Sequence, residues 1–278
     1  MTVVDGVREI SEGDIVQGVR LLRDSLLAAP DDFENQMTAV FEVDVHSDKW
    51  RDVLCDEAEW PEIALDVGCI LWGAGVEMIG LRLMRFAHQE QVSHASVILA
   101  TCLLWLGAID EAVDILETLV AHDGPEGDEA AGVLGGAYAL EFRRTDSRVN
   151  ELLRRGYQSD EDRFGITYAK VLRQNGQIDE AEMILQAAVL SGNEGTPIVL
   201  ANLLLDERQD RVGAERLYRV GIAKGDAFSA TNLALMIVED DHRVEEAREL
   251  LTWAASRSDL LAKKKLAELD GDGVAIPS

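Results

Sequence analysis

The chain has 278 residues, 47% of them hydrophobic, and carries 52 acidic against 26 basic side chains, a net charge of −26. Such a field repels phosphate backbones and anionic bilayers, so the totals argue against direct binding to nucleic acid or to a membrane surface. No apolar run approaches the ~18–20 residues that cross a bilayer, and the opening MTVVDGVREISEGD lacks a basic stretch followed by an apolar one, so a cytoplasmic protein without a secretory leader is expected.

Three cysteines (Cys55, Cys69 and Cys102) are too few and too irregular for a disulfide framework or a zinc motif. The acidity leaves two explanations open. One is solubility or the composition of the organism, which would also account for six lysines against twenty arginines. The other is a specific partner with a basic surface, whose encounter this field would speed.

Taken in chain order, apolar periodicity predicts helix pairs over 3–28 and 33–56, then over 60–89 and 93–121. The third and fourth pairs share nearly the same stretch. Cys69-Ile70-Leu71-Trp72 returns thirty-three residues later as Cys102-Leu103-Leu104-Trp105, which suggests equivalent positions in successive units, stacked in a core or along its lining. Further pairs follow over 127–155, 161–190, 195–223 and 228–255.

The copies keep step in this half. GAIDEA at 107–112 recurs as GQIDEA at 176–181, and Ala181, Ala214 and Ala247 are spaced by thirty-three, as are Gly192, Gly225 and Ser258. Ala201 and Ala234 stand thirteen residues before Ala214 and Ala247. Within DEAEMILQAAVLSGN, the residues Ala181, Ile184, Leu185, Ala188 and Val189 form one amphipathic stripe, closed by Gly192 and Asn193. Small residues at these places would let two helices cross closely. A last helix over 259–269, with the polar AKKK, would cap the stack, and 270–278 is expected to be a flexible tail. Strand patterns and hairpin turns are absent from the sequence, so the expectation is all-α, one continuous domain over 1–269.

These features resemble the tetratricopeptide repeat and, in the C-terminal half, the related Sel1-like repeat. Gly107 with Ala112 and Gly176 with Ala181 match that family's spacing, and Gly13, Gly18, Leu22 and Pro30 fill the corresponding places near the N-terminus. The resemblance covers almost the whole chain, with degenerate units near 33–57 and 143–160. It implies a right-handed α-α solenoid of about eight helix-turn-helix repeats with a C-terminal capping helix. It also implies a non-catalytic scaffold without cofactor that binds a peptide or protein in the groove of its first helices. The family's spacing points to Thr101, Lys170, Arg173, Asp206, Asn232 and Glu239 as groove residues. Lys170 and Arg173 are a fragment of the carboxylate clamp found in some members. The partnering Asn and Lys positions are not filled, which favours a basic or apolar target instead.

Sites for chemistry are sparse. The sequence holds no G-x-S-x-G, H-E-x-x-H, Walker or dinucleotide motif. His46, His88, His94, His122 and His242 are scattered; His88 and His94 lack a third ligand, and His94 with His122 is the place to look for an enzyme. Cys69 and Cys102 lie in apolar runs and read as small hydrophobes. GVLGGAYAL at 132–140 reads as close helix packing rather than a phosphate cradle. The acidic clusters at 56–62, 123–130, 159–162 and 239–249 read either as solvated edges or as a rim for Lys/Arg-rich segments, with Trp60 an aromatic anchor or a core residue. The second reading would make the chain an acidic immunity or antagonist protein that neutralises a basic toxin or nucleic-acid-binding partner. MTVVDGV, as a short first helix, is the end expected to stick to a second copy, so both monomer and homodimer remain open.

Overall fold

The computed structural model describes residues 2–41, 47–54, 58–238 and 241–271. Among the described residues are seventeen α-helices, one 3-10 turn and no strand. In chain order these are α1 (Val3–Glu12), α2 (Ile15–Ala28), α3 (Pro30–Phe41), α4 (Ser47–Leu54), α5 (Trp60–Gly73), α6 (Glu77–Gln89), α7 (Ala95–Trp105), α8 (Ile109–Val120) and α9 (Pro125–Leu140). They continue with α10 (Ser147–Ser159), α11 (Glu161–Gln174), α12 (Ile178–Leu190), α13 (Thr196–Arg208), α14 (Arg211–Ala223), α15 (Ala227–Ile237), the 3-10 turn (Asp241–Arg243), α16 (Val244–Ser256) and α17 (Leu260–Leu269). Helices pack as sequential pairs, and the fold is an all-α helical-repeat solenoid, as the sequence predicts. His46, Cys55, Glu239 and the tail beyond Gly271 lie outside the described residues. By internal packing the chain forms two compact units, Met1–Ala137 and Tyr138–Ser278, divided within α9.

Small residues at the crossings explain the pairing. In α1/α2, a Cβ on Gly18 would lie 2.5 Å from Ile10 Cγ1 and 2.7 Å from the Gly6 carbonyl oxygen. In α5/α6, a Cβ on Gly80 would lie 2.8 Å from the Gly68 oxygen, and one on Gly68 would lie 3.0 Å from the Gly80 oxygen. Alanine takes over elsewhere: Ala100, Ala112, Ala201, Ala214, Ala234 and Ala247 are fully buried. Backbones that approach this closely leave room for a hydrogen or a methyl group and nothing larger.

The turns set the register between repeats. Gly75 (φ +83°) and Gly107 (φ +76°) end α5 and α7 in the left-handed conformation that glycine adopts without strain. The Val76 N–H donates to the Leu71 carbonyl at 2.8 Å, and the Ala108 N–H to the Leu103 carbonyl at 2.9 Å. Leu71 and Leu103 are therefore equivalent, and both are 1% exposed. This corrects the sequence alignment of the two Cys-x-x-Trp stretches: the structural offset is thirty-two residues, and the sequence match is displaced by one. One residue is ~100° of helix rotation, so Trp72 is half-buried while Trp105 is 78% exposed. Trp105 occupies the place of Gly73, which is also exposed.

In the first unit, the six N-terminal helices do not stack as a simple row. Helix α1 touches α3 and α6 as well as α2, and α2 touches α4 and α5. Val3, Ile10, Leu22, Phe33, Trp50, Leu54, Ile63 and Leu83 thus share one core, in which the Phe33 and Trp50 rings meet edge to face at 5.8 Å. Arg82 on α6 donates to the carbonyl oxygens of Ile10 (3.3 Å) and Ser11 on α1. The third hairpin therefore contacts the first directly, past the α3/α4 pair whose sequence is degenerate.

The second unit is regular from α10 to α17, each helix packing on the next. Gly192, Gly225 and Ser258 all have positive φ (+91°, +90° and +69°), so the serine adopts the turn conformation of the glycines thirty-three and sixty-six residues before it. After the last two of these turns an aspartate caps the next helix. Asp226 accepts from the Phe228 and Ser229 N–H groups, and Asp259 from those of Leu261 and Ala262. Asp259 is only 5% exposed and also accepts from the Thr231 hydroxyl at 2.6 Å, which ties the final helix to α15.

Candidate functional site

First helices α11 and α13 of the second unit flank a cavity of about 200 Å³, well below the ~300–1,000 Å³ typical of small-molecule sites. Its walls are Ala169, Lys170 and Arg173 from α11, Leu185 from α12, and Ile198, Val199, Asn202 and Leu203 from α13. Lys170 and Arg173 are three residues apart, so the helix places both on one face. The Arg173 guanidinium donates to Asp206 Oδ2 and to Glu207 Oε1, each at 2.8 Å, and those hydrogen bonds hold its pKa above the ordinary arginine value against burial. Two predicted groove residues, Arg173 and Asp206, are thus partners of each other. Lys170 is exposed and has no ion pair among the described residues.

A polar cluster adjoins this wall. Asn202 Oδ1 accepts from the Tyr218 hydroxyl at 2.6 Å and from Asn232 Nδ2 at 3.0 Å. Burial, reinforced by Asp206, pushes the Tyr218 hydroxyl up to about 12, so it stays a donor at neutral pH. With its oxygen doubly engaged, Asn202 offers its amide N–H₂ and Asn232 its amide oxygen, one donor and one acceptor beside an aliphatic surface.

The structure therefore brings together Lys170, Arg173, Asp206 and Asn232. Thr101 lies on α7 of the first unit, where its hydroxyl donates to the Val97 carbonyl at 2.8 Å. Glu239 is outside the described residues. Sequence reasoning missed Asn202, Val199 and Tyr218. A signal for Asn202 existed: Thr101, Lys170 and Asn202 each directly follow a crossing alanine, namely Ala100, Ala169 and Ala201.

The remaining candidates have structural partners. His88 Nδ1 lies 2.8 Å from the Ser96 hydroxyl, His94 Nδ1 lies 2.9 Å from Glu129 Oε2, and His122 Nδ1 donates to the Thr118 carbonyl at 3.0 Å. No group of three or more potential metal-ligating residues converges among the described residues. Burial, with Cys69 nearby, pushes the Cys102 thiol up to about 11, which suits an inert apolar thiol rather than a nucleophile. Trp60 is half-buried beneath Arg23, whose guanidinium carbon lies 4.6 Å from the ring centre. Gly136 departs from the expected close packing, since a Cβ there would meet nothing within 4 Å.

The acidic clusters also acquire definite roles. Asp160 caps α11, Asp162 accepts from the Ser191 hydroxyl, and Glu62 accepts from the Glu59 N–H. Glu246 joins a four-member network in which Arg243 pairs with Glu215 (2.7 Å) and Glu246 (2.8 Å) while Arg219 bridges the same two carboxylates, both at 2.7 Å. Much of the arginine content ties one repeat to the next in this way: Arg85 to Glu111, Arg173 to Asp206 and Glu207, and Arg208 to Asp179 and Glu182. Forked guanidinium geometry suits such double contacts better than an ammonium does.

No family model matches the chain, and no curated protein matches it. Solved structures do. One is a protective antigen present in uropathogenic Escherichia coli strains that displays an SLR fold; the match has a TM-score of 0.58 at 17% identity and covers 98% of this chain and 64% of the antigen. Another is a Sel1 repeat protein from Oxalobacter formigenes, with a TM-score of 0.52 at 15% identity, covering 85% of this chain and 96% of that one. This chain thus spans less than two thirds of the antigen's length, and its fold is that of the Sel1-like repeat proteins.

Proposed function

We propose that this protein is a non-catalytic interaction scaffold and that the α11/α13/α15 face of its second unit receives a peptide or protein segment. The observation that carries the reading is the conjunction of an aliphatic cavity, a Lys170 without an ion pair among the described residues, and two half-used amides, Asn202 and Asn232. Ile198, Val199 and Leu203 would take an apolar side chain, and the amides would hold the backbone beside it. Arg173 contributes position rather than free charge, because Asp206 and Glu207 already neutralise it. A Sel1-like repeat fold supports the reading in general terms, since stacked helix pairs build extended surfaces for other proteins.

The test is selection of peptides from a displayed library on the full chain, followed by affinity measurement with Val199→Glu and Asn202→Ala. Val199 is half-buried at the cavity wall, so a carboxylate there blocks the apolar subsite without removing core volume. Selected peptides should lose tenfold or more in affinity with either variant; Val199→Glu should leave the thermal transition in place, whereas Asn202→Ala also orphans the buried Tyr218 hydroxyl and should lower it. Peptides that bind both variants like the parent chain would remove the groove from the account.

A further inference from the structure

A second cleft in the same unit lies on its other side, between the second helices α10 and α12 and against α11. It measures about 360 Å³ and is lined by Arg154, Tyr157 and Gln158 from α10, Tyr168 from α11, and Glu180, Met183, Ile184 and Ala187. A smaller recess of about 40 Å³ continues from it, sharing Tyr157, Ile184 and Ala187 and adding Glu161, Asp162 and Ser191. The floor is apolar and partly open: Met183 is 69% exposed, although it lies on a helix whose neighbouring Ile184 is buried. Tyr157 and Tyr168 stand with ring centres 5.7 Å apart at the same wall.

The charges around this floor have one sign. Glu180 accepts from the Tyr168 hydroxyl (3.3 Å) and the Gln177 amide (3.2 Å), Asp162 accepts from the Ser191 hydroxyl (3.0 Å), and Glu161 has no polar side-chain partner among the described residues. None of the three is ion-paired among the described residues. The cation at the rim, Arg154, is held by Glu151 through two contacts of 2.9 and 2.6 Å and so supplies no net positive charge. Raised tyrosine values agree with this potential. Burial and then Glu180 push Tyr168 up to about 12, and burial with Glu161 raises Tyr157.

We propose that this cleft docks a cationic amphipathic segment of a partner protein: one large apolar side chain on Met183, Ile184 and Ala187, flanked by arginines or lysines that reach Glu180 on one side and Glu161 with Asp162 on the other. An arginine stem would also lie against the Tyr157 ring, whose face attracts a guanidinium. The surface is independent of the α11/α13/α15 groove, since the two cavities share no lining residue.

The test uses fluorescent synthetic peptides and the full chain at ~150 mM salt, where the Debye length is about 8 Å and diffuse attraction is largely screened. The probe is a capped hexapeptide with a Leu-Trp centre and two arginines on each side; companions carry Glu or Gln for every Arg, or Ala-Ala at the centre. The cationic probe should bind one-to-one, and every companion should bind at least tenfold more weakly. Glu161→Gln combined with Glu180→Gln, and separately Ala187→Lys at an exposed lining position, should each weaken it tenfold or more. Glu245→Gln combined with Glu249→Gln removes the same charge from α16 and should change affinity less than twofold. Equal loss with that control pair, or undiminished binding of the Gln or Ala-Ala companion, would overturn the proposal. Val199→Glu should leave the probe's affinity unchanged, so failure here and failure of the groove reading are separable.

Discussion

At Gly80 the backbone of α6 runs so close to α5 that a Cβ would stand 2.8 Å from the Gly68 carbonyl oxygen and 3.0 Å from the Trp72 nitrogen. Neither atom is the end of a flexible side chain, so the helices themselves would have to part. Gly80→Ala should therefore destabilise the chain by about 1–3 kcal/mol, the usual range for overpacking a tight contact. Gly136 sits inside α9 with open space where a Cβ would go, and Gly136→Ala should instead stabilise by about 0.5–1 kcal/mol through the unfolded chain. Chemical denaturation of the two variants beside the parent checks both signs; a stabilised Gly80→Ala would refute the crossing argument. Trp105 makes the same point about register. Its sequence match to Trp72 is convincing by eye, yet a one-residue offset turns one indole toward the repeat stack and the other to solvent.

Among elements, the α14–α16 pairing is where ionisation and stability are most clearly linked. Hydrogen bonds from Arg243, and then Arg219, hold the Glu215 carboxyl at about 2, against a desolvation that works the other way. A depressed carboxylate value stabilises the fold above the ordinary glutamate range and stops doing so as pH falls from about 4.5 toward about 2. Glu215 is 26% exposed, so solvent screening trims the contribution to the order of 2 kcal/mol. Amide exchange in α14 and α16 should accelerate relative to α11 and α12 between pH 5 and 3, and Glu215→Gln should remove that difference. Equal acceleration in all four helices would contradict the assignment. At the other end of this stack, Asp259→Ala removes the cap of α17 and orphans the Thr231 hydroxyl. It should cost about 1–3 kcal/mol and expose α17 to exchange before α16.

Most of the helical pairing was legible before any coordinates. The pair expected over 60–89 spans α5 and α6, and the turns at Gly107, Gly176, Gly192, Gly225 and Ser258 fall where repeat spacing put them. Such turns are local, since positive φ and a closing aliphatic stripe are written in adjacent residues. The shared core of α1 to α6 was not legible, because the contact of α6 with α1 depends on Arg82 reaching carbonyls more than seventy residues away. For the candidate groove, Lys170, Arg173, Asp206 and Asn232 were expected from the resemblance to the repeat family, whereas the Asn202–Tyr218 contact joins two helices at 2.6 Å and has no periodic signature. The Met183 cleft sits on second helices, a face the family's binding pattern does not single out.

For the molecule as a whole, charge acts on two scales that should separate with salt. Fifty-two carboxylates face twenty-six cations, so repulsion outnumbers the arginine pairs that link repeats. Raising salt from ~10 to ~150 mM shortens the Debye length from about 30 to about 8 Å, which screens the diffuse repulsion more than the short pairs. The melting temperature should rise over that range, and a fall would mean that the inter-repeat ion pairs dominate. The account proposed for the molecule places its partner on the first helices of the second unit. Its central claim is the first-helix groove. Hydrogen–deuterium exchange of the full chain with and without a library-selected peptide tests it most directly: the account predicts slowed exchange over residues 166–174, 198–206 and 230–234, and protection confined to other segments would contradict it.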